Sequence, residues 1–434
     1  MEGESTMIQL EELLQRVEEK EEEMHQLLGD LVAFPTLSPP ARNAAEAQQY
    51  IEEYLSRMDF EIDTWELYPG DPIVVGTKKG TNREHSRSLI LNGHIDVAAL
   101  DEGESWEHDP FILTLKGDRL YGRGTADMKG GMAAVLFALK LLHEAGIEPA
   151  GNLHVQSVVG EEVGEAGTKS CGERGYHADL AIVADTSNCA IQGQGGVITG
   201  WITIESPETF HDAERRSIIH AGGGRYGAGA IEKMMKIIQS LQELERHWAV
   251  TKSSPGFPPG STTINPAVIE GGRHAAFIAD RCALWITVHY YPEEHYDDVI
   301  EEIEAHVRAA AQADPWLKNH APQFKWGGTS MIEDRGEIFP AFSVDPAHPG
   351  VQQLQQAHKT IHGTPAETSM SPTVTDGGWL SEAGIPTILY GPGTLDQAHA
   401  VNESLDRRQL LDYTKTMMAF LYDWFQQTDD KEEA

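Results

Sequence analysis

Cysteine is scarce in this sequence: three residues among 434, at Cys171, Cys189 and Cys282, with no C-x-x-C spacing. So few thiols exclude a disulfide framework and fit a reducing compartment. Positive charge is also in short supply. Lys plus Arg number 33 against 68 Asp plus Glu, a formal net charge of −35. Such a chain does not bind nucleic acid through a general basic surface, and it is not drawn to anionic lipid. Long apolar runs are missing as well. The longest, around Met132–Leu139, falls far short of the roughly 18–20 residues that span a bilayer. The acidic start, MEGESTMIQLEELLQRVEEKEEEM, lacks the apolar core of a secretory signal. The expectation is a soluble, cytoplasmic protein with neither a nucleic-acid nor a membrane partner. Internal repeats are absent, and low complexity is confined to the charged ends.

What is present is enough to fold. Hydrophobic residues make up 40%, with nine Trp and twelve Phe, so the chain is not disordered. Its length suggests two or three domains. Leu10, Leu13, Leu14 and Val17, then Met24, Leu27, Leu28 and Leu31, recur at helical spacing, and a second helix carries Tyr50, Ile51, Tyr54, Leu55 and Met58. Strand and helix then alternate: SLILN (88–92), a helix over Met128–Ala145, LHVQSVV (153–159), a short helix over Gly164–Gly175, and DLAIVA (179–184). Short apolar strands between helices predict an α/β fold with a mixed, largely parallel sheet.

From about residue 196 the pattern changes. Val197–Ile204, Ser261–Val268 and Ala283–Tyr290 alternate as half-buried strands. A helix with Ile231, Met234, Met235, Ile238 and Leu241 lies between the first two. Another, His295–Ala311, follows the third and leads to a strand at Gln323–Trp326. The order β-α-β-β-α-β predicts a ferredoxin-like domain inserted at 196–329. The first pattern resumes from Pro349, with a strand at Thr387–Tyr390 and a last helix. The catalytic domain is thus expected in two pieces, 1–195 and 330–434.

Histidines and carboxylates follow the apolar strands. SLILN runs into His94-Ile95-Asp96, LHVQSVV into Glu161-Glu162, DLAIVA into Asp185, and TILY leads on to His399 and Glu403, while Asp127 opens a helix after a Gly-rich stretch. Each has an ordinary reading taken singly, such as a helix cap for Asp127 or a solvated pair for Glu161-Glu162. Together they gather at the carboxyl ends of one sheet, where ligands bind in open α/β folds. Two His and three carboxylates suit a divalent metal, Zn²⁺ first. Two metals would need a bridging carboxylate, and a spare acid would serve as base.

Seven segments then occur in a familiar order: NGHIDV (92–97), YGRGTADMKGG (121–131), GEEVGEAGT (160–168), VADTS (183–187), HAGGGRYGAGAIE (220–232), VTDGGWLSEAGIP (374–386) and YGPGTLDQAHAVNE (390–403). On these the chain resembles the co-catalytic zinc aminoacylase family, which includes acetylornithine deacetylase, succinyl-diaminopimelate desuccinylase, aminoacylase and carboxypeptidase G. The resemblance implies two divalent ions, Zn²⁺ or alternatively Co²⁺. Asp127 would bridge them, His94 and Asp185 would complete one site, and Glu162 and His399 the other. Glu161 would be the general base, and Asp96 would brace His94 from behind. His220 would stabilise the oxyanion, commonly from the second subunit of a homodimer formed through the inserted lid. A catalytically silent binding protein on the same fold is the rival class, and the intact residue set argues against it.

One region departs from the family. The lid positions that usually hold Asn and Arg, and with them a substrate carboxylate, carry Ala276 and His289. A His cannot form a bidentate clamp. Either Arg273 or Arg281 compensates, or the substrate has no carboxylate there. The stretches SPPARN (38–43), EGGRHAAF (270–277), WITVHYYP (285–292), KWGGTSMIEDRGEIFPA (325–341) and VTDGGWL (374–380) resemble a deformylase branch of the family. That implies a small N-formyl compound with a flat heteroaromatic ring, for which Phe277, Tyr290, Tyr291, Trp326 and Trp379 would offer stacking surface. An acetylornithine deacetylase-like deacylase or a dipeptidase is the alternative.

Overall fold

The computed structural model describes residues 9–101 and 103–427. The acidic extremes of the chain lie outside the described residues. The polypeptide forms two compact units, one of residues 1–194 with 342–434 and one of residues 195–341.

In chain order the strands of the two main sheets are β1 (Glu61–Tyr68), β2 (Asp71–Lys78), β3 (Leu89–His94), β4 (Leu153–Val158), β5 (Leu180–Val183) and β6 (Ile191–Gln194). The second unit contributes β7 (Gly196–Glu205), β8 (Ile264–Gly271), β9 (Arg281–Tyr290), β10 (Gln323–Trp326) and β11 (Ile338–Phe339), after which come β12 (Thr368–Ser371) and β13 (Thr387–Leu389). The first unit holds an eight-stranded sheet in the order β12-β6-β13-β5-β3-β4-β2-β1. Its centre, β13-β5-β3-β4, is parallel throughout. An antiparallel hairpin, β1-β2, is attached to β4. The sheet is therefore mixed and largely parallel, flanked by helices. The hairpin and the edge strands β6 and β12 were not read from the sequence.

β3 is central and buried along its whole length, which is why its first half, Leu89–Leu91, reads as an apolar run. The helix over it, α1 (Lys129–Glu144), sits unusually close. A methyl group on Gly93 would lie 2.4 Å from Met132 Sδ, and one on Gly131 would lie 1.9 Å from the carbonyl oxygen of Ala184. Gly93 and Gly131 thus let the helix start press against the ends of β3 and β5.

The second unit is an antiparallel sheet, β8-β9-β7-β10 with β11 beside β7, packed on α2 (Ala230–Thr251) and α3 (Tyr296–Gln312). This is the strand order of the ferredoxin-like motif. It extends to Ala341 rather than ending at 329, because β11 pairs with Val197 and Ile198 of β7. The helical stripe read from Ile231 and Met235 is also displaced. Met234, Ile237, Leu241, Leu244 and Trp248 are the buried set, while Ile231 is 40% and Met235 57% exposed. β8 is likewise exposed beyond Ile264, since it is an edge strand with a neighbour on one side only among the described residues.

Gly131→Ala is expected to lower unfolding stability by about 1–3 kcal/mol through overpacking, read as a shift in the urea midpoint. An unchanged midpoint would mean that the helix can retreat from β5 without cost.

Candidate metal centre

The parallel strands aim their carboxyl ends at one place. His94 is the last residue of β3, Asp185 follows β5, and Glu161 and Glu162 form a short 3₁₀ turn after β4. That turn is flanked by Gly160 (φ 85°) and Gly164 (φ 59°), both in the left-handed region that glycine tolerates. Asp127 lies just ahead of α1, and His399 sits in the loop after β13 with φ 59°.

The side chains make two three-residue groups that share Asp127. In each of His94–Asp127–Asp185 and Asp127–Glu162–His399, one ligand atom per residue lies within 4.8 Å of the others. His94 Nε2 is 3.3 Å from Asp127 Oδ1 and 3.8 Å from both Asp185 Oδ2 and Glu161 Oε2. His399 Nε2 is 2.7 Å from Glu162 Oε2 and 3.4 Å from Asp127 Oδ2. His94 Nδ1 lies 3.0 Å from the Asp96 carbonyl oxygen. Donation to that oxygen leaves Nε2 bare and turned toward the carboxylates.

The brace expected from Asp96 takes a different form. Its main-chain carbonyl holds the imidazole, and its carboxylate stands 3.7 Å away. That carboxylate accepts the N–H groups of Gly160 (2.9 Å) and Glu162 (3.1 Å), so it steers the turn that carries both glutamates. Sequence spacing placed residues 94 and 96 on one side of an extended chain, but β3 stops at His94.

Charge crowding perturbs every group. Burial lifts the Glu161 carboxyl well above its ordinary value, and the charges of Asp185 and Asp376 add to this while His94 opposes it. Burial followed by the Asp127 charge raises Glu162 and Asp185 to about 7. Burial works against ionised Asp127, yet His399 and His94 hold it below the usual carboxylate range. Hydrogen bonds to Asp127 and Glu162 raise His399 to about 10. His94 Nε2 and Glu162 Oε1 are buried with no hydrogen-bond partner. So many acids around two unsatisfied ligand atoms fit divalent cations, which would offset charges that water cannot reach.

Two further acids were not assigned from the sequence. Glu403, fully buried, accepts the backbone N–H groups of Gly124, Ala126 and Asp127 at 3.0, 2.8 and 3.1 Å and pairs with Arg123 at 2.9 Å. It thereby shapes the loop that presents Asp127. Its signal was the motif it shares with His399. Asp376, also buried, accepts a hydrogen bond from the Thr168 hydroxyl at 2.8 Å, and burial raises it to about 7. It sits in VTDGGWL, where nothing but the motif marked it.

His220 belongs to the second unit. Its Nδ1 accepts the Gly229 N–H at 2.9 Å, and its Nε2 is 2.6 Å from Glu232. There Arg273 pairs with Asp280 at 2.9 Å and Arg281 with Glu205 at 3.1 Å. Of the five aromatics expected to offer stacking surface, Tyr290, Tyr291 and Trp379 are buried, Trp326 packs against the core of its unit, and Phe277 alone is well exposed. Most of that surface is core.

A family model described as Peptidase family M20/M25/M40 matches residues 90–423. The chain belongs to this family. It is accordingly a metal-dependent enzyme that hydrolyses amide bonds. A protein of Halalkalibacterium halodurans named N-formyl-4-amino-5-aminomethyl-2-methylpyrimidine deformylase is 63% identical over 415 residues, covering 96% of this chain and 97% of that one. A Bacillus subtilis protein of the same name is 59% identical over 416 residues, covering 96% and 98%. Among solved structures, an M20 family metallo-carboxypeptidase from Sulfolobus solfataricus superposes with a TM-score of 0.70 at 17% identity, covering 93% of this chain and 99% of that one. That likeness concerns the fold alone. No helix among the described residues is long and apolar enough to cross a membrane.

The raised carboxyls set a pH dependence for metal-free protein. With folded values of about 7 against unfolded values near 4, Glu162 and Asp185 favour the protonated form. Their contribution is complete at low pH and is lost as pH rises through 7. His399, raised to about 10, has the same sign, with a loss that comes later. The metal-free melting temperature should therefore fall between about pH 5 and 8, and Zn²⁺ added near pH 8 should restore it while releasing protons. A melting temperature that climbs across this window in metal-free protein would contradict the account.

Proposed function

We propose that the chain is an N-formyl-4-amino-5-aminomethyl-2-methylpyrimidine deformylase that uses two zinc ions and Glu161 as general base. What supports this is two residue groups able to hold cations, together with a sequence that lacks the family's carboxylate clamp. Ala276 and His289 stand at the clamp positions, and Arg273 and Arg281 are each engaged with an acid of their own. A substrate lacking a carboxylate accords with the names of the two near relatives.

In this reading Asp127 would serve both ions, His94 and Asp185 would hold one, and Glu162 and His399 would hold the other. N and O donors suit zinc, with cobalt tolerated. When bound, the pair supplies Lewis-acid polarisation of the formyl carbonyl and acidifies water at neutral pH. Glu161 does the proton work. Its carboxyl is buried, its pKa is raised, and it lies 3.8 Å from His94 Nε2. It takes a proton from the attacking water as the new C–O bond forms at the formyl carbon, then delivers that proton to the leaving nitrogen as the C–N bond breaks. Formate and the aminomethylpyrimidine are the products. Asp96 keeps Glu161 in place through the backbone of the turn, and Glu403 does the same for Asp127. His220 meets the developing negative charge on the carbonyl oxygen, contributed by the second subunit of a homodimer. The outer edge of β8, unpaired among the described residues, and exposed Ile231, Met235 and Ile269 support such a dimer. The cytoplasm is the proposed location.

Glu161→Gln should keep its metal and lose about a thousandfold in kcat. A variant that turns over near the wild-type rate would remove Glu161 from the mechanism. The substrate is tested by kcat/KM on the formylaminopyrimidine, N-acetylornithine and a dipeptide. Preference for either of the latter two would overturn the carboxylate-free reading.

A further inference from the structure

The segment 34–43 touches three of the loops that carry the metal centre. The Thr36 hydroxyl donates to the Ile95 carbonyl at 2.6 Å, and Leu37-Ser38 pairs in parallel with Val97-Ala98. Fully buried Lys129, at the start of α1, donates to the Phe34 carbonyl at 2.7 Å. Arg42, at the far end, reaches the glutamate turn. None of this segment falls within the residues matched by the family model, 90–423.

Arg42 is fixed in both backbone and side chain. Asp71, itself buried, accepts the N–H groups of Arg42, Asn43 and Ala44 at 2.7, 2.9 and 3.1 Å. The guanidinium lies 4.1 Å over the Tyr68 ring and 3.1 Å from Asp71. Its other bonds form a fork: Nη1 is 2.8 Å from Glu165 Oε2, and Nη2 is 2.8 Å from Glu165 Oε1. Glu165 is 2% exposed and closes the turn, its N–H donating to the Gly160 carbonyl at 2.7 Å. Contact at this point is tight, since a methyl group on Gly160 would lie 2.4 Å from Glu165 Cβ.

The Gly160–Glu165 turn needs such ties. It is a single 3₁₀ turn between two left-handed glycines, so its own hydrogen bonds constrain it weakly. The Asp96 carboxylate grips it from one side, and Glu165 is the grip on the other. A planar fork fixes the position and direction of a carboxylate at once, which a lysine ammonium cannot do.

We infer that Arg42 is a positioning residue for catalysis: through Glu165 it holds the Gly160–Glu165 turn where Glu161 and Glu162 face the metal centre. The inference rests on the reading of Glu161 as general base. A displacement of about 1 Å in such a group costs on the order of a hundredfold in rate.

The test uses zinc-loaded full-length Arg42→Lys, Arg42→Met, Glu165→Gln and the Arg42→Met/Glu165→Gln double variant. Arg42→Lys should lose roughly a hundredfold in kcat with KM changed less than about threefold. The double variant should fall no further than the worse single one, because both changes break one link. Hydrogen exchange on metal-free protein gives a readout independent of turnover. Amides of residues 160–165 should exchange about tenfold faster in Arg42→Lys while those of β3 and β4 keep their protection. Wild-type kcat in Arg42→Lys, additive losses in the double variant, or unchanged exchange in the turn would each overturn the proposal. So would unfolding of both Arg42 variants by circular dichroism, since Arg42 would then serve folding alone. An active Glu161→Gln would remove the base assignment. A fully active Arg42→Lys beside an inactive Glu161→Gln would remove the clamp and leave that assignment standing.

Discussion

Asp127, Glu161, Glu162 and Asp185 crowd a largely buried spot beside buried His94 and exposed His399, and their mutual repulsion is the constraint that the site depends on. Carboxylates removed from water repel one another strongly, and nothing in their natural chemistry keeps them together. The pKa pattern is the sign of it: neighbouring acids are pushed upward while Asp127, between two imidazoles, is held down. Such an arrangement persists only where the scaffold holds each loop separately and a cation belongs in the middle.

The scaffold supplies those separate holds. Four parallel strands end at one level and provide the starting points. Gly93 and Gly131 let the helix behind Asp127 press against the strand ends. Glu403 collects the backbone of the Asp127 loop, and Asp96 collects that of the glutamate turn. In both cases a carboxylate next to the centre is spent on backbone N–H groups, which orients a ligand through the main chain rather than through side-chain contact. This differs from the familiar pattern of a carboxylate bracing an imidazole, although here too His94 is held, by a carbonyl.

Much of this was legible in the sequence because parallel strands buried on both faces read as apolar runs, and polar residues placed just after such runs stand out. His94, Glu161, Glu162 and Asp185 were marked in this way, Asp127 by a Gly-rich helix entry and His399 by the loop that follows TILY, and the structure brings their atoms together. The hairpin β1-β2 went unread because its burial is uneven along β1, although Pro69-Gly70 at its turn is a strong signal. The face of α2 was misjudged because Ile231 and Met235 are apolar yet lie off the buried stripe. The aromatic surface was overcounted for a related reason: composition cannot tell a ring that stacks on a ligand from one that fills a core.

The sequence by itself determined the fold class and named the candidate ligands, since these follow from periodicity, motif order and side-chain type. The tertiary structure decided what each acid near the centre attends to. Whether Asp96 faces an imidazole or two backbone amides, whether Glu403 faces solvent or the Asp127 loop, and whether Arg42 meets Glu165 depend on segments far apart in the chain. A hydrogen bond is directional and short-ranged, so its partner is fixed only when packing has set distance and angle, and no local pattern carries that information.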